Sequence, residues 1–150
     1  MKTNELIIDV AMQIQKPSNE VFEAIVNPDQ MSQYFISKSS GKMEEGKSLV
    51  WNFPEFDADA PVRVGKIIAN ELITFYWEIN QVEVEVEMQL QQKPDGSTVI
   101  RIIEKEMDNN DAGITWLKGN TEGWANFLAC LKAYMEYGIN LRKGAFVFRF

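Results

Sequence analysis

Histidine is absent from this chain of 150 residues. That absence removes the side chain whose ordinary titration range straddles neutral pH, and with it the usual general base and the commonest metal ligand. A single cysteine, Cys130, excludes an intrachain disulfide and a thiolate cluster, and a Cys–His nucleophile has no second member. No apolar run approaches the ~20 residues needed to span a bilayer. The opening MKTNELIIDVAMQIQ has no signal-type apolar region, because Asp9 interrupts its longest candidate. These absences lead to the expectation of a soluble, cytoplasmic protein without cofactor or metal. Basic residues are outnumbered, 15 Lys and Arg against 22 Asp and Glu, for a net charge of −7. Affinity for nucleic acid or anionic membranes rests on cationic patches, so neither nucleic-acid binding nor membrane insertion is expected.

The remaining composition is that of a globular domain. With 45% hydrophobic and 25% charged residues, a chain of this length buries one sizeable core without a staple. No repeat, low-complexity tract or linker divides it, so residues 1–150 read as a single domain.

Residues 6–14 read as a strand ending at Lys16-Pro17. Ser18 then looks like the N-cap of a short helix over 19–26, which Asn27-Pro28 breaks, and 29–35 can form a second short helix. Strands follow at 48–53, where Trp51 and Phe53 share a face, and at 62–68 and 72–78, separated by a hairpin-sized gap. Residues 81–91 alternate strictly, with Val82, Val84, Val86, Met88 and Leu90 on one side and Glu83, Glu85, Glu87 and Gln89 on the other. Period two of this kind gives one buried and one wet face. Pro94-Asp95-Gly96 is a turn, and 98–107 is the return strand. A long helix is expected over 114–141, with Leu117, Asn120, Trp124, Phe127, Leu128, Leu131, Met135 and Gly138 on one stripe and Lys118, Glu122, Lys132, Glu136 and Asn140 opposite. Antiparallel strands with segregated helices make an α+β domain whose long helix must lie across the sheet.

Three segments carry a family resemblance. Within KPSNEVFEAIVNPDQMSQYF stand Pro17, Val21-Phe22, Ala24, Pro28 and Tyr34-Phe35. ELITFYWE ends in Trp77-Glu78, and GWANFLACLKAYMEYG supplies Gly123-Trp124, Leu128, Leu131-Lys132, Glu136 and Gly138. In this order the segments resemble the START-like, or SRPBCC, superfamily, and within it the branch named after the activator of the ninety-kilodalton heat-shock ATPase. The similarity runs to about residue 141. Tyr34 stands where many members carry Trp, and the tail GAFVFRF is an extension many lack. The resemblance implies a helix-grip fold, a curved antiparallel sheet around a long C-terminal helix with a deep cavity. For function it implies a range, from lipid carriers and polyketide cyclases to chaperone regulators.

The candidate ligand-binding residues are those that should face one another between sheet and helix. They are Tyr34, Trp51, Phe75, Trp77, Val84, Val86, Met88, Glu104, Asn120, Trp124, Phe127, Leu128 and Leu131. The same residues can equally form a filled core. Asn120, polar on an apolar stripe, either contacts a ligand or caps a frayed first turn. Glu104 shares a face with Ile100 and Ile102; there it is either buried and in need of partners or at the exposed strand end. Glu83, Glu85 and Glu87 read as a solvated face balanced by neighbouring cations. DNNDAG, residues 108–113, fails as a calcium loop, because Ala112 and Gly119 stand at ligand positions, and reads as a turn with capping residues. Cys130 reads as a small buried hydrophobe. In the tail, Phe146, Phe148 and Phe150 would line one side of an extended segment docked on its own domain or on a second copy.

These observations favour a carrier or sensor of a small apolar ligand such as a lipid, an isoprenoid or an aromatic molecule. The alternative is a protein-interaction module touching a chaperone, with no contact motif to map. Less favoured is a cyclase-like enzyme, which would have to work with Glu104 and tyrosines alone.

Overall fold

A computed structural model describes residues 5–53, 59–79 and 81–149. The element order is β1 (Glu5–Ile14), α1 (Ser18–Val26), α2 (Pro28–Met31), β2 (Lys38–Ser39), β3 (Ser48–Asn52), β4 (Asp59–Ile68), β5 (Leu72–Ile79), β6 (Val82–Gln92), β7 (Thr98–Asp108) and α3 (Asp111–Tyr137). A 3₁₀ turn over Val147–Arg149 closes the described chain. The seven strands form one antiparallel sheet in the order β1-β7-β6-β5-β4-β3-β2.

The alternation in β6 sets the sheet's two faces. Val84, Val86, Met88 and Leu90 are buried and pair with alternating positions of β5 and β7. Val82, expected on the same buried side, is exposed at the strand's start. On the outer face Arg63 reaches across β5 to Glu83 at 3.0 Å, with its guanidinium over the Tyr76 ring, and Tyr76 donates to Glu85 at 2.9 Å. The glutamate row is therefore the solvated, partly neutralised face that the sequence suggests. In β4 the register shifts between Val64 and Ile67. A Cβ on Gly65 would stand 2.7 Å from Thr74 Oγ1 and 2.8 Å from the Tyr76 ring, so only glycine allows the strands to approach there.

All three helices differ at their boundaries from the pattern-based expectation. Ser18 does not cap α1: its hydroxyl lies 3.2 Å from Thr98 Oγ1, and its backbone N–H donates to Gln92, so it ties the helix to the sheet instead. The second short helix stops at Met31, whose carbonyl collects the N–H groups of Tyr34, Phe35 and Ile36. That tight turn swings Tyr34 and Phe35 into the core. Helix α3 starts at Asp111, capped by Asn110, whose side chain accepts from Gly113 N–H at 2.8 Å. The turn and cap reading of 108–113 thus holds. The helix ends at Tyr137, because Gly138 takes a left-handed conformation (φ 66°) and returns its N–H to Tyr134. Gly138 is therefore the stop of the helix rather than part of its apolar stripe.

Helix α3 lies against β1 and β7 on the sheet's concave side. Lys132 and Glu136, placed by periodicity on the wet side, clamp it to β1. Lys132 donates to Gln13 O at 2.9 Å, and Glu136 accepts from Gln15 N–H at 2.8 Å and from Lys132 at 2.6 Å. No helix among the described residues is long and apolar enough to cross a membrane.

Candidate functional site: a cleft backed by a buried carboxylate

The N-terminal half of α3 stands away from the ends of β4 and β5, and the gap is a cleft of about 730 Å³, open to solvent on one side. That volume lies within the range of small-molecule sites. Its walls are Ala60 and Pro61 of β4, Trp77 to Ile79 of β5, and Gly119, Asn120, Gly123, Trp124 and Asn126 of α3, with Phe35, Phe53, Arg142 and Phe146 closing the sides. A Cβ added to Gly119 or Gly123 would meet nothing within 4 Å. These glycines therefore mark open space and not close helix packing.

Behind the inner wall sits Glu104, which is 0% exposed. Its β7 position follows from the period-two row Thr98, Ile100, Ile102, Glu104, all turned inward. The carboxylate receives Trp124 Nε1 at 2.7 Å and Trp77 Nε1 at 2.8 Å. Asn120 Nδ2 donates to both its oxygens, at 3.1 and 3.3 Å, and Trp116 Nε1 approaches at 3.5 Å. Every partner is a neutral N–H donor. A buried carboxylate demands such compensation, and here it draws one residue from β5 and three from α3 into a fixed arrangement. The exposed-end alternative for Glu104 is thereby corrected, as is the capping alternative for Asn120, which stands well inside the helix.

The candidate residues divide into three groups. Trp77, Asn120 and Trp124 lie on the cleft wall. Tyr34 borders a smaller depression of about 440 Å³ that adjoins the first through Phe35, Arg142 and Phe146. Trp51, Phe75, Val84, Val86, Met88, Phe127, Leu128 and Leu131 are buried, as is Glu104, and none of these residues lines the cleft. The sequence expectation placed these apolar residues around the cavity. In the structure they close-pack as the core behind it, because the ring of Phe127 fills the space between Tyr34, Phe35 and Trp124. Cys130 is buried on α3. Among the described residues no group of three His, Cys, Asp or Glu side chains is placed to hold a metal ion.

Tyr34 donates to Ala24 O at 2.9 Å from within the core, and burial, with a smaller contribution from Tyr134, pushes its hydroxyl well above the ordinary tyrosine range. Its ring stacks on Tyr134 at 5.5 Å.

Sequence reasoning missed Trp116, Phe35, Phe53 and Arg142. The first was legible: Trp116, Asn120 and Trp124 are spaced i, i+4, i+8 and so share a helix face. Phe53 was placed by alternation on the face of Trp51 but not carried into the site, and Phe35 and Arg142 come from turns outside the regular elements. The tail is not the extended segment expected of it. Arg142 lies over the rings of Phe35 and Phe146, at 5.7 and 5.0 Å, and Phe146 joins the cleft wall. Phe148 is 76% exposed, and Phe150 lies outside the described residues.

A curved antiparallel sheet, two short helices after its first strand and a long C-terminal helix beside an open cleft define a helix-grip domain of the START-like class. The family model described as "Activator of Hsp90 ATPase homolog 1-like protein" matches residues 15–136, and the chain belongs to that family. Protein SSP2350 from Staphylococcus saprophyticus, known from a crystal structure, is similar at 33% identity and a TM-score of 0.80, over 91% of this chain and 96% of that one. The Aha1 dimer from Colwellia psychrerythraea, solved in solution, shares the fold at 20% identity and a TM-score of 0.76, over 89% and 98% of the two chains. DynU16, described as a putative protein in the dynemicin biosynthetic locus, shares it at 21% identity and a TM-score of 0.79, over 89% of this chain and 48% of its own. No curated protein sequence matches.

Proposed function

We propose that this protein binds small apolar molecules in the cleft between α3 and the β4–β5 ends and acts as their carrier or sensor. The observation that carries this reading is the cleft itself: about 730 Å³, with five aromatic rings in its walls and opened by Gly119 and Gly123. Apolar burial supplies the driving force, and a few polar groups fix orientation. The ligand-contact set is narrowed to Trp77, Asn120 and Trp124 from the sequence candidates, joined by Phe35, Phe53 and Phe146. Catalysis finds less support, since Glu104 does not reach the cleft and is held on four sides by N–H donors. The test is native mass spectrometry with thermal shift against fatty acids, isoprenoids and aromatic polyketides. A bound species that raises the melting temperature is expected. Absence of binding across all three classes overturns the reading.

A second reading, an interaction module acting on a chaperone ATPase, is favoured by one observation. Tyr137, Ile139, Leu141, Val147 and Phe148, at the end of α3 and in the chain that follows it, are all at least half exposed. Exposed apolar side chains gathered in this way mark interaction surfaces. Adding the purified chain to a ninety-kilodalton heat-shock ATPase tests it. A raised hydrolysis rate, lost in Phe148→Ser, supports the module, and an unchanged rate removes it.

A further inference from the structure

The hydrogen-bond directions around Glu104 determine what the cleft can offer a guest. A carboxylate in contact with four N–H groups acts only as an acceptor. The indole nitrogens of Trp77 and Trp124 are spent on it, at 2.8 and 2.7 Å, so these two rings turn only carbon toward the cleft. Asn120 is constrained in the same way. Its amide nitrogen donates to both carboxylate oxygens, and reversing the amide would set oxygen against oxygen. The Asn120 carbonyl, Oδ1, is thus forced to the opposite side of the amide, on a residue that lines the cleft. It accepts no hydrogen bond within the described structure, and it is not among the fully buried unpartnered atoms. The inner wall therefore consists of two indole surfaces and one acceptor whose direction is fixed from behind.

Charge around this point has a definite sign. The Glu104 carboxylate lies a single side chain behind Oδ1, and Asp59, Glu78 and Glu122 line the cleft, with Arg142 as the one cationic side chain among the described lining residues. Arg142 lies over the rings of Phe35 and Phe146, at the side of the cleft.

Building on the proposed binding function, we propose that Asn120 Oδ1 is the specificity-determining group of the cleft. It selects uncharged, flat apolar molecules that carry a hydrogen-bond donor, of the phenol class, and the cleft rejects the matching carboxylates. A phenolic hydroxyl completes the unmet hydrogen bond of Asn120 Oδ1 while its ring lies against Trp77 and Trp124. An ether in its place leaves Oδ1 desolvated without a partner, a penalty sites built for a donor impose strongly. A carboxylate would bring an acceptor and a negative charge against an acceptor backed by another negative charge.

Three probes of one shape test this: 2-naphthol, 2-methoxynaphthalene and 2-naphthoate, titrated into the full chain and followed by tryptophan fluorescence. The expected order is naphthol tighter than methoxynaphthalene by about tenfold, equivalent to about 1.4 kcal/mol, with naphthoate the weakest. Asn120→Ala, checked for folding by its melting curve, should erase the naphthol advantage, bringing the affinities of naphthol and methoxynaphthalene together. Should that variant fail to fold, the side-chain amide resonances of Asn120 in the unaltered protein serve instead, shifting with naphthol and not with methoxynaphthalene. Equal binding of naphthol and its ether, or tighter binding of naphthoate, overturns the selectivity while leaving a ligand-binding cleft in place. No binding by any of the three, together with none in the broader screen, overturns the cleft's binding role itself.

Discussion

Trp77 of β5 and Trp124 of α3 come from opposite layers of the fold, and their indole nitrogens meet on the same carboxylate, 2.8 and 2.7 Å from Glu104. Their rings lie 5.6 Å apart. One buried acid thereby holds sheet and helix at a fixed separation, and the cleft opens directly beside that junction.

Glu104→Gln tests the junction. The substitution keeps the shape but exchanges one acceptor oxygen for an amide NH2, a donor set against N–H donors. A buried donor left without a partner costs about 1–3 kcal/mol. Urea unfolding should show a loss of that order at neutral pH, with tryptophan emission altered in the native baseline. A native-like midpoint would mean that the acid is not structurally required.

The glycines of α3 should respond in opposite directions. A Cβ on Gly123 meets open space, so Gly123→Ala should stabilise by about 0.5–1 kcal/mol through helix propensity. A Cβ on Gly113 would collide with the Asp108 carbonyl, and Gly113→Ala should destabilise. Gly123→Leu should fold and occlude the cleft, abolishing whatever binding the ligand screen detects. Differential scanning calorimetry of the alanine pair reads the sign of each effect.

Alkaline stability should depend on Tyr34. Burial, then the Tyr134 charge, raises its folded titration point above that of the unfolded chain. Its contribution is therefore complete below the ordinary tyrosine value near 10 and is lost as pH rises further. Tyr34→Phe removes the hydrogen bond to Ala24, a cost of about 1 kcal/mol at neutral pH, yet should flatten the decline in melting temperature above pH 10. Parallel alkaline limbs for the two proteins would contradict this.

The acid limb should involve Glu136. Burial raises its titration point, but the Lys132 hydrogen bond, the Gln15 N–H and the charges of Lys132 and Lys16 outweigh burial and hold it below the ordinary glutamate range. Stability from this clamp is present above the unfolded value and disappears as pH falls through the lowered one. Glu136→Gln should melt lower than the parent at pH 7, with the gap closing on acidification below about pH 4.5. A gap independent of pH would assign the loss to packing alone.

Deletion of residues 144–150 removes Phe146 from the cleft wall and should lower the melting temperature. Light scattering on the same protein addresses the proposed homodimer. A fall in mass assigns the tail to a contact between copies, and an unchanged mass leaves it docked on its own chain.

Alternation and helical spacing carried most of the architecture. Val84 to Leu90 announced a half-buried strand, the inward row ending at Glu104 was readable from β7, and the glutamates of β6 found the outer face expected of them. Spacing failed where side chains chose distant partners. Ser18 left the cap position for Thr98, and Lys132 and Glu136 left the wet face for the β1 backbone. The site was legible only in part, because a row of apolar residues looks the same whether it encloses a void or fills one.

The sequence by itself determined the strands, the long helix, the family and the exclusion of histidine-based chemistry, since periodicity and residue inventory are local properties. Only the tertiary structure decided that the core closes around Phe127 while the space beside Trp124 stays open. It also buried Glu104 behind the cleft wall, with the amide nitrogen of Asn120 turned onto it. Those outcomes depend on where one indole of β5 and two indoles and an amide of α3 converge on a carboxylate of β7, and hydrogen-bond direction at such a point is set by geometry that no one segment of the chain contains.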